Sequence, residues 1–199
     1  KDISSGSSNP VYIVEAGGRV YFGADDGVHG AELWKSDGTV EGTTLIKDIH
    51  DGNGSDPLLI TRFGNKIIFV ADDGVHGSEP WISDGTSEGT VLLKDINLSG
   101  NSNAMSFYEF NNKIFFSADD GIHGDEFWVT DGTEEGTIMV DLVDGEEGSS
   151  PYRFIDDGGN LFFQANKQVW RSRGTAAQVE MIGDFEPHSE FYVVNDYFC

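Results

Sequence analysis

The sequence predicts an all-β fold, a β-propeller of four-stranded antiparallel blades in repeats of about 47 residues. Three observations predict it: a long motif that occurs three times, four short apolar and β-branched stretches per repeat, and turn signals between those stretches. The motif reads ADDGVHGAELWKSDGTVEGT at 24–43, ADDGVHGSEPWISDGTSEGT at 71–90 and ADDGIHGDEFWVTDGTEEGT at 118–137. No helical periodicity with capping residues accompanies it, and a β-solenoid is the alternative architecture.

The elements follow one another in the same order within each repeat. In the first repeat the expected strands are VYIVEA, RVYFGA, AELWKS and TTLIKDI, which are rich in β-branched and aromatic residues. Gly17 and Gly18 join the first two strands and form a two-residue hairpin signal. The segment DGTVEG joins the last two. Apolar residues on both faces of a strand, as at 67–70, are expected where each sheet packs between two neighbours.

The repeats divide the chain into one repeat domain, 1–199, with blade units at about 4–49, 50–96, 97–143 and 144–184 and a partial fifth unit at 185–199. Trp34, Trp81 and Trp128 are 47 residues apart, and Trp170 follows after 42. The fourth unit keeps Trp170 and a Gly-Thr pair but lacks DDGxHGxE. We expect a partial propeller from a longer array, and the alternative is a ring in which the two chain ends share one blade.

The charge balance excludes two classes of partner. The chain has 35 Asp and Glu against 12 Lys and Arg, a net charge of −23. Phosphate backbones and anionic lipid repel such a surface, so we expect no nucleic acid and no membrane insertion. The charge either keeps an exposed protein in solution or attracts hard cations such as Ca²⁺. Cys199 is the one cysteine, so no internal disulfide forms.

The repeated DDGxHGxE loops are the candidate metal sites. Carboxylate oxygens and loop carbonyls suit Ca²⁺, whereas an imidazole among carboxylates suits a transition metal better. The competing interpretation is structural, because Asp accepts backbone hydrogen bonds in turns and Gly supplies positive φ. Calcium is the one cofactor expected, and no catalytic residue is predicted. The candidate ligands are Asp25, Asp26, His29 and Glu32, then Asp72, Asp73, His76 and Glu79, and finally Asp119, Asp120, His123 and Glu126.

The strand order places these loops. In an antiparallel blade, the loop after the second strand and the crossing to the next blade leave from the same end. The DDGVHG loops and the inter-blade segment at 50–57 should therefore share one face, with the hairpins and SDGT turns opposite. The DGT segments fit turn geometry. The tryptophans fit blade–blade packing, with a sugar-stacking platform as the alternative.

The segment AELWKSDGTVEGTTLIKDI resembles the repeat named after its consensus, ELWxxDGT, of large secreted bacterial proteins. The first unit matches the consensus in full, the second has Pro80 and the third Phe127 at the Leu position, and the fourth keeps only Trp170. The resemblance covers residues 1–140 well. It implies a propeller-like fold in a secreted or surface protein, with no catalytic residues to carry over. SDGT also resembles the Asp-box hairpins of sialidase-type propellers, where the motif is structural.

The leading functional expectation is a non-enzymatic, secreted or cell-surface module with structural, adhesive or ligand-binding roles, stabilised by Ca²⁺ if the loops bind it. Catalysis needs unlike residues that converge once, whereas repeated loops offer like residues several times. The alternatives are a lectin-like carbohydrate binder and a glycan-active hydrolase with paired carboxylates. The expected partners are carbohydrate or another protein surface, and an unsealed sheet edge would permit self-assembly.

Overall fold

The computed structural model describes residues 1–143, 147–184, 193–194 and 197–198. These residues form four antiparallel four-stranded sheets and a two-stranded pair, with one 3-10 turn at Ala176–Gln178. The prediction of an all-β protein with propeller-type blades is confirmed. No helix in this part of the chain is long and apolar enough to cross a membrane.

Each sheet is built from four consecutive strands in sequence order. The first comprises β1 (Val11–Ala16), β2 (Arg19–Asp25), β3 (Ala31–Ser36) and β4 (Thr44–Lys47). The second comprises β5 (Leu58–Phe63), β6 (Lys66–Asp72), β7 (Ser78–Ser83) and β8 (Val91–Leu92). The third comprises β9 (Met105–Phe110), β10 (Lys113–Asp119), β11 (Asp125–Thr130) and β12 (Ile138–Val140). The fourth comprises β13 (Tyr152–Asp156), β14 (Leu161–Ala165), β15 (Gln168–Ser172) and β16 (Val179–Asp184).

The sheets stack as successive blades, with their first strands innermost. β1 contacts β5, β5 contacts β9, and β9 contacts β13. Each of three apolar clusters joins neighbouring blades, so the middle sheets are buried on both faces as the uninterrupted apolar strands predicted. Trp34, Trp81 and Trp128 are each about 95% buried, which confirms packing rather than an exposed sugar platform.

The SDGT turns form a second contact between blades. Asp84 Oδ1 accepts hydrogen bonds from the backbone N–H of Thr86, at 2.8 Å, and from its hydroxyl, at 2.7 Å. This bonding holds Gly85 at φ +86° against the preceding blade, where an added Cβ would lie 2.5 Å from the Tyr21 hydroxyl. Gly132 approaches Phe63 in the same way. The turns are therefore structural, as the sequence predicted.

The first three sheets lie within the expected units 4–49, 50–96 and 97–143. The fourth expected unit, 144–184, begins at 144–146, which lie outside the described residues, and its sheet spans Tyr152–Asp184. Of the partial fifth unit, 185–199, the described part is the pair β17 (Val193–Val194) and β18 (Tyr197–Phe198). The rest of that unit lies outside the described residues.

Candidate functional site

The DDGxHG loops and the inter-blade segments lie together, on what we term the loop face. The backbone N–H of Asp56 donates to the Ala31 carbonyl at 3.0 Å, and Gly54 packs directly against Gly30. The second and third junctions repeat the arrangement, with Ser102 donating to Ser78 and Ser149 donating to Asp125. The two kinds of segment therefore share one face, as the strand order predicted.

Each DDGxHG loop is closed by its own aspartates. In the first loop, Asp25 Oδ1 accepts from the N–H of Gly27 at 2.7 Å. Asp26 Oδ1 accepts from the N–H groups of Val28 and His29 at 2.8 and 2.9 Å. The second and third loops repeat these bonds to within about 0.1 Å. One carboxylate oxygen of each aspartate therefore stabilises the turn of its own loop.

The second oxygen of the inner aspartate orients the histidine. The distance from Nδ1 to the Asp Oδ2 is 2.7 Å for His29, 2.7 Å for His76 and 2.8 Å for His123. Because a carboxylate only accepts, Nδ1 must carry the proton. Nε2 is then an acceptor in the neutral ring and a donor in the protonated ring. The three side chains are 36–39% exposed.

The aspartate–histidine pairs shift both pKa values. The side-chain hydrogen bond to Asp26 raises the pKa of His29 above its ordinary value, and His76 and His123 behave alike. Partial burial would raise the pKa of Asp26, but hydrogen bonds from His29 and Val28 outweigh it and hold this pKa below its ordinary value. Each pair therefore favours the ionised carboxylate and the imidazolium.

An aliphatic side chain projects beside each histidine. Val28, Val75 and Ile122 precede the three histidines and are 75%, 80% and 67% exposed. Each site therefore offers a fixed polar ring and a free apolar group. We term Val28–His29, Val75–His76 and Ile122–His123 the loop-tip pairs.

The third loop lines an open cleft of about 420 Å³, bounded by Asp119, Gly121, Ile122 and Gly124. Asp125 stands where the first two loops have Ala31 and Ser78. It pairs across the strands with Asp119. Burial, followed by the charge of Asp119, raises the pKa of the Asp125 carboxyl.

The glutamates of the predicted metal set lie elsewhere, sealed in the junctions between blades. Glu32, Glu79 and Glu126 have no solvent exposure. Glu32 accepts from the Ser55 N–H at 3.1 Å and from its hydroxyl at 2.5 Å. Ser149 donates its hydroxyl to Glu126 at 2.6 Å. These glutamates fasten each blade to the segment that begins the next one, and we term the Glu32–Ser55 and Glu126–Ser149 contacts Glu–Ser latches.

Burial raises the pKa of all three glutamates, and that of Glu79 reaches about 7. Hydrogen bonds lower the pKa of these glutamates. At Glu79 the largest such contributions come from the backbone N–H of Ile96 and the side chain of Ser102. These three glutamate carboxyls are thus closed off from solvent. Sequence reasoning missed their partners, although Ser8, Ser55, Ser102 and Ser149 recur every 47 residues.

The structure separates the glutamates of the predicted metal set from the aspartates and histidines of each loop. Within the described residues, no group of three or more His, Cys, Asp or Glu side chains could hold a metal ion. Asp25, Asp72 and Asp119 bond their own turns, the inner aspartates bond histidines, and the glutamates face the junctions. Calcium binding by these loops stays an untested prediction.

Comparisons with known proteins bear on the fold. No family model matches the chain and no curated protein is similar in sequence, so the resemblance to the ELWxxDGT repeat stays an interpretation. Among solved structures, a puromycin hydrolase S511A mutant is similar over 96% of this chain at 14% identity, with a TM-score of 0.59. The chain covers 32% of that hydrolase, about a third of its length.

Two carbohydrate-active enzymes are also similar in structure. The Bacteroides thetaiotaomicron endo-arabinase is 14% identical over 90% of this chain and 75% of its own, with a TM-score of 0.36. The Clostridium thermocellum alpha-L-arabinofuranosidase is 16% identical over 93% and 76%, with a TM-score of 0.28. Likeness at this identity concerns the fold and assigns no activity to this chain.

These neighbours correct the leading functional expectation. We expected a non-enzymatic structural or adhesive module, and the comparisons contradict that expectation, because the similar solved structures named above are enzymes.

Proposed function

We propose that the loop face recognises carbohydrate. The observation that carries this proposal is the threefold repetition of the loop-tip pairs, each with an Asp-oriented imidazole beside an exposed aliphatic side chain. A sugar presents hydroxyl groups at its edge and C–H groups on its face, so it needs a polar and an apolar partner side by side. Repeated sites at regular intervals suit a polymer of repeated sugar units.

The chemistry of each site follows from the fixed ring. The Asp26 carboxylate holds the His29 ring in one tautomer, so Nε2 meets a hydroxyl without first reorienting. Preorganisation of this kind lowers the entropic cost of binding. Val28 supplies the apolar contact. Three weak sites on one face gain affinity together when one polymer reaches more than one of them.

Recognition is favoured over hydrolysis at these residues. A glycoside hydrolase needs an acid of raised pKa that touches the glycosidic oxygen, together with a second carboxylate. The glutamates with raised pKa, Glu32, Glu79 and Glu126, are sealed inside the blade junctions. Carboxyls in the Glu–Ser latches therefore do not reach a bound sugar.

A triple variant tests the proposal. His29→Ala, His76→Ala and His123→Ala together remove the three imidazoles and leave the backbone bonds of the loops in place. Binding to immobilised plant and bacterial polysaccharides, including arabinan and galactan, is measured by a glycan array and then by calorimetry. We expect the unaltered protein to bind at least one polysaccharide and the triple variant to lose at least about tenfold in affinity.

The matched control is a second triple variant on the opposite face. Glu41→Ala, Glu88→Ala and Glu135→Ala change three exposed residues at equivalent positions in the DGT turns. This control should bind as the unaltered protein does. Absence of binding to every polysaccharide, or equal affinities for both triple variants, would refute the proposal.

A further inference from the structure

A row of exposed apolar side chains marks the loop-face ends of the innermost strands. Its members are the first residues of β1, β5, β9 and β13, and they are 47 residues apart. They are also alike in exposure, between 41% and 44%. We term them the axial row: Val11, Leu58, Met105 and Tyr152. The fourth unit, which lacks DDGxHG, retains its member.

A bulge accompanies every member of the row. The pairing register shifts just after Val11, Leu58 and Tyr152, and at the same place in β9. The residue that follows each member has a left-handed backbone, with φ between 50° and 61° at Tyr12, Leu59, Ser106 and Arg153. None of these is glycine, so each costs about 1–2 kcal/mol relative to an ordinary conformation. Bulges re-aim side chains at the ends of strands.

The loop face around the row is strongly negative in the first three blades. Five of its segments contain eleven aspartates and no lysine or arginine, namely 25–31, 48–57, 72–78, 95–104 and 119–125. Lys47 and Lys94, which flank two segments, donate to the carbonyl oxygens of Thr90 and Glu134. The aspartates are Asp25, Asp26, Asp48, Asp51, Asp56, Asp72, Asp73, Asp95, Asp119, Asp120 and Asp125.

We propose that the axial row binds a positively charged segment of another polypeptide that carries large apolar side chains. Exposed apolar residues in a row favour burial, and the surrounding carboxylates favour a cationic partner. The fourth member already accepts a cation, because the guanidinium of Arg153 lies 5.6 Å from the centre of the Tyr152 ring.

The negative charge of the loop face favours a cationic polypeptide over the other molecules that could cover the axial row. A second copy of the chain also carries a net charge of −23 and would be repelled at this face. Anionic lipid would be repelled for the same reason. A sugar is a poor match, since three of the four members are aliphatic and offer neither a ring to stack on nor a hydrogen-bonding group.

Synthetic peptides test the proposal directly. The probes are fluorescent peptides of equal length that alternate Lys with Leu, Lys with Ser, or Glu with Leu, and binding is followed by anisotropy. We expect the Lys–Leu peptide to bind at least about tenfold more tightly than either of the others. Its affinity should fall as salt is raised, because screening weakens the charge contribution.

Two double variants locate the binding. Leu58→Gln with Met105→Gln alters the axial row, and should weaken Lys–Leu binding at least about fivefold. Val91→Gln with Ile138→Gln alters two similarly exposed residues on outer strands, and should leave it unchanged. Circular dichroism and melting temperature check that both variants fold.

Equal binding of the Lys–Leu and Lys–Ser peptides, or equal effects of the two double variants, would overturn the proposal. A dimer by light scattering that the axial-row variant abolishes would assign the row to a second copy instead. The histidine triple variant should bind the Lys–Leu peptide normally, so failure of this proposal is distinguishable from failure of carbohydrate recognition.

Discussion

Replacement of Glu79 by glutamine should remove a pH-dependent part of the stability of the fold. Glu79 is fully buried, and its carboxylate oxygens accept from the backbone N–H groups of Ile96, at 3.0 Å, and Asn97, at 3.4 Å. Burial raises its pKa from 4.5 to about 7. In the unfolded chain the carboxyl returns to its ordinary pKa, so between these values the folded state holds a proton that the unfolded state releases.

The sign and size of the effect follow from this difference. A carboxyl with a raised pKa in the folded state contributes stability that is present at low pH and is lost as pH rises through the folded pKa. A shift of one pKa unit corresponds to 1.36 kcal/mol, so the loss from pH 5 to pH 8 is about 2 to 3 kcal/mol as an upper value. Glutamine is neutral at every pH in this range, so the Glu79→Gln variant should lose none of this stability.

The assay is urea unfolding at pH 5 and pH 8, with the free energies of unfolding compared between proteins. The unaltered chain should lose about 2 to 3 kcal/mol more over this interval than Glu79→Gln does. Glu88→Gln, an exposed change on the same blade, is the control and should retain the full pH dependence. The same pH dependence in Glu79→Gln and in the unaltered protein would refute the reasoning.

Two further substitutions test the contacts between blades. Gly85→Ala should destabilise by at least about 1 kcal/mol more than Gly38→Ala, because both glycines have positive φ but only Gly85 lies against Tyr21; equal losses in urea unfolding would show that the contact is unimportant. Ser55→Ala should cost about 1–3 kcal/mol, since it leaves a buried Glu32 oxygen without its hydroxyl donor. A loss below about 0.5 kcal/mol would contradict the latch at Ser55.

The blades were predictable because their signals are local. Val11–Ala16 and Ala31–Ser36 begin and end where the sequence placed them, since β-branched stretches alternate with turn residues. The fourth strand was predicted too long. The sheet keeps only Thr44–Lys47, and the side chain of Lys47 reaches the next blade, where its ammonium lies 5.8 Å from the centre of the Trp81 ring.

The site was only partly predictable, because closeness along the chain does not determine the direction in which two side chains point. Asp26 and Glu32 are six residues apart, and the sequence predicts them as ligands of one ion. The strand pairing of Glu32 with Ala24 directs its carboxylate into the blade junction, while Asp26 stays in the turn. The raised pKa of Glu32 comes from burial among residues of the next unit. No pattern within a single repeat contains that information.

The fourth unit distinguishes the contacts that form a blade from the loops that are exposed to solvent. It retains Ser149, whose hydroxyl reaches Glu126 and whose carbonyl accepts from Asn166, and it retains Gly174 against Asn111 of the preceding blade. It lacks the DDGxHG loop, yet β13–β16 form a complete sheet. The fourth blade therefore forms with the apolar cluster, the latch and the turn contact, but without a DDGxHG loop. The three loops that remain are not needed for that purpose, and their exposed histidines and aliphatic tips make them the part of the molecule most free to bind.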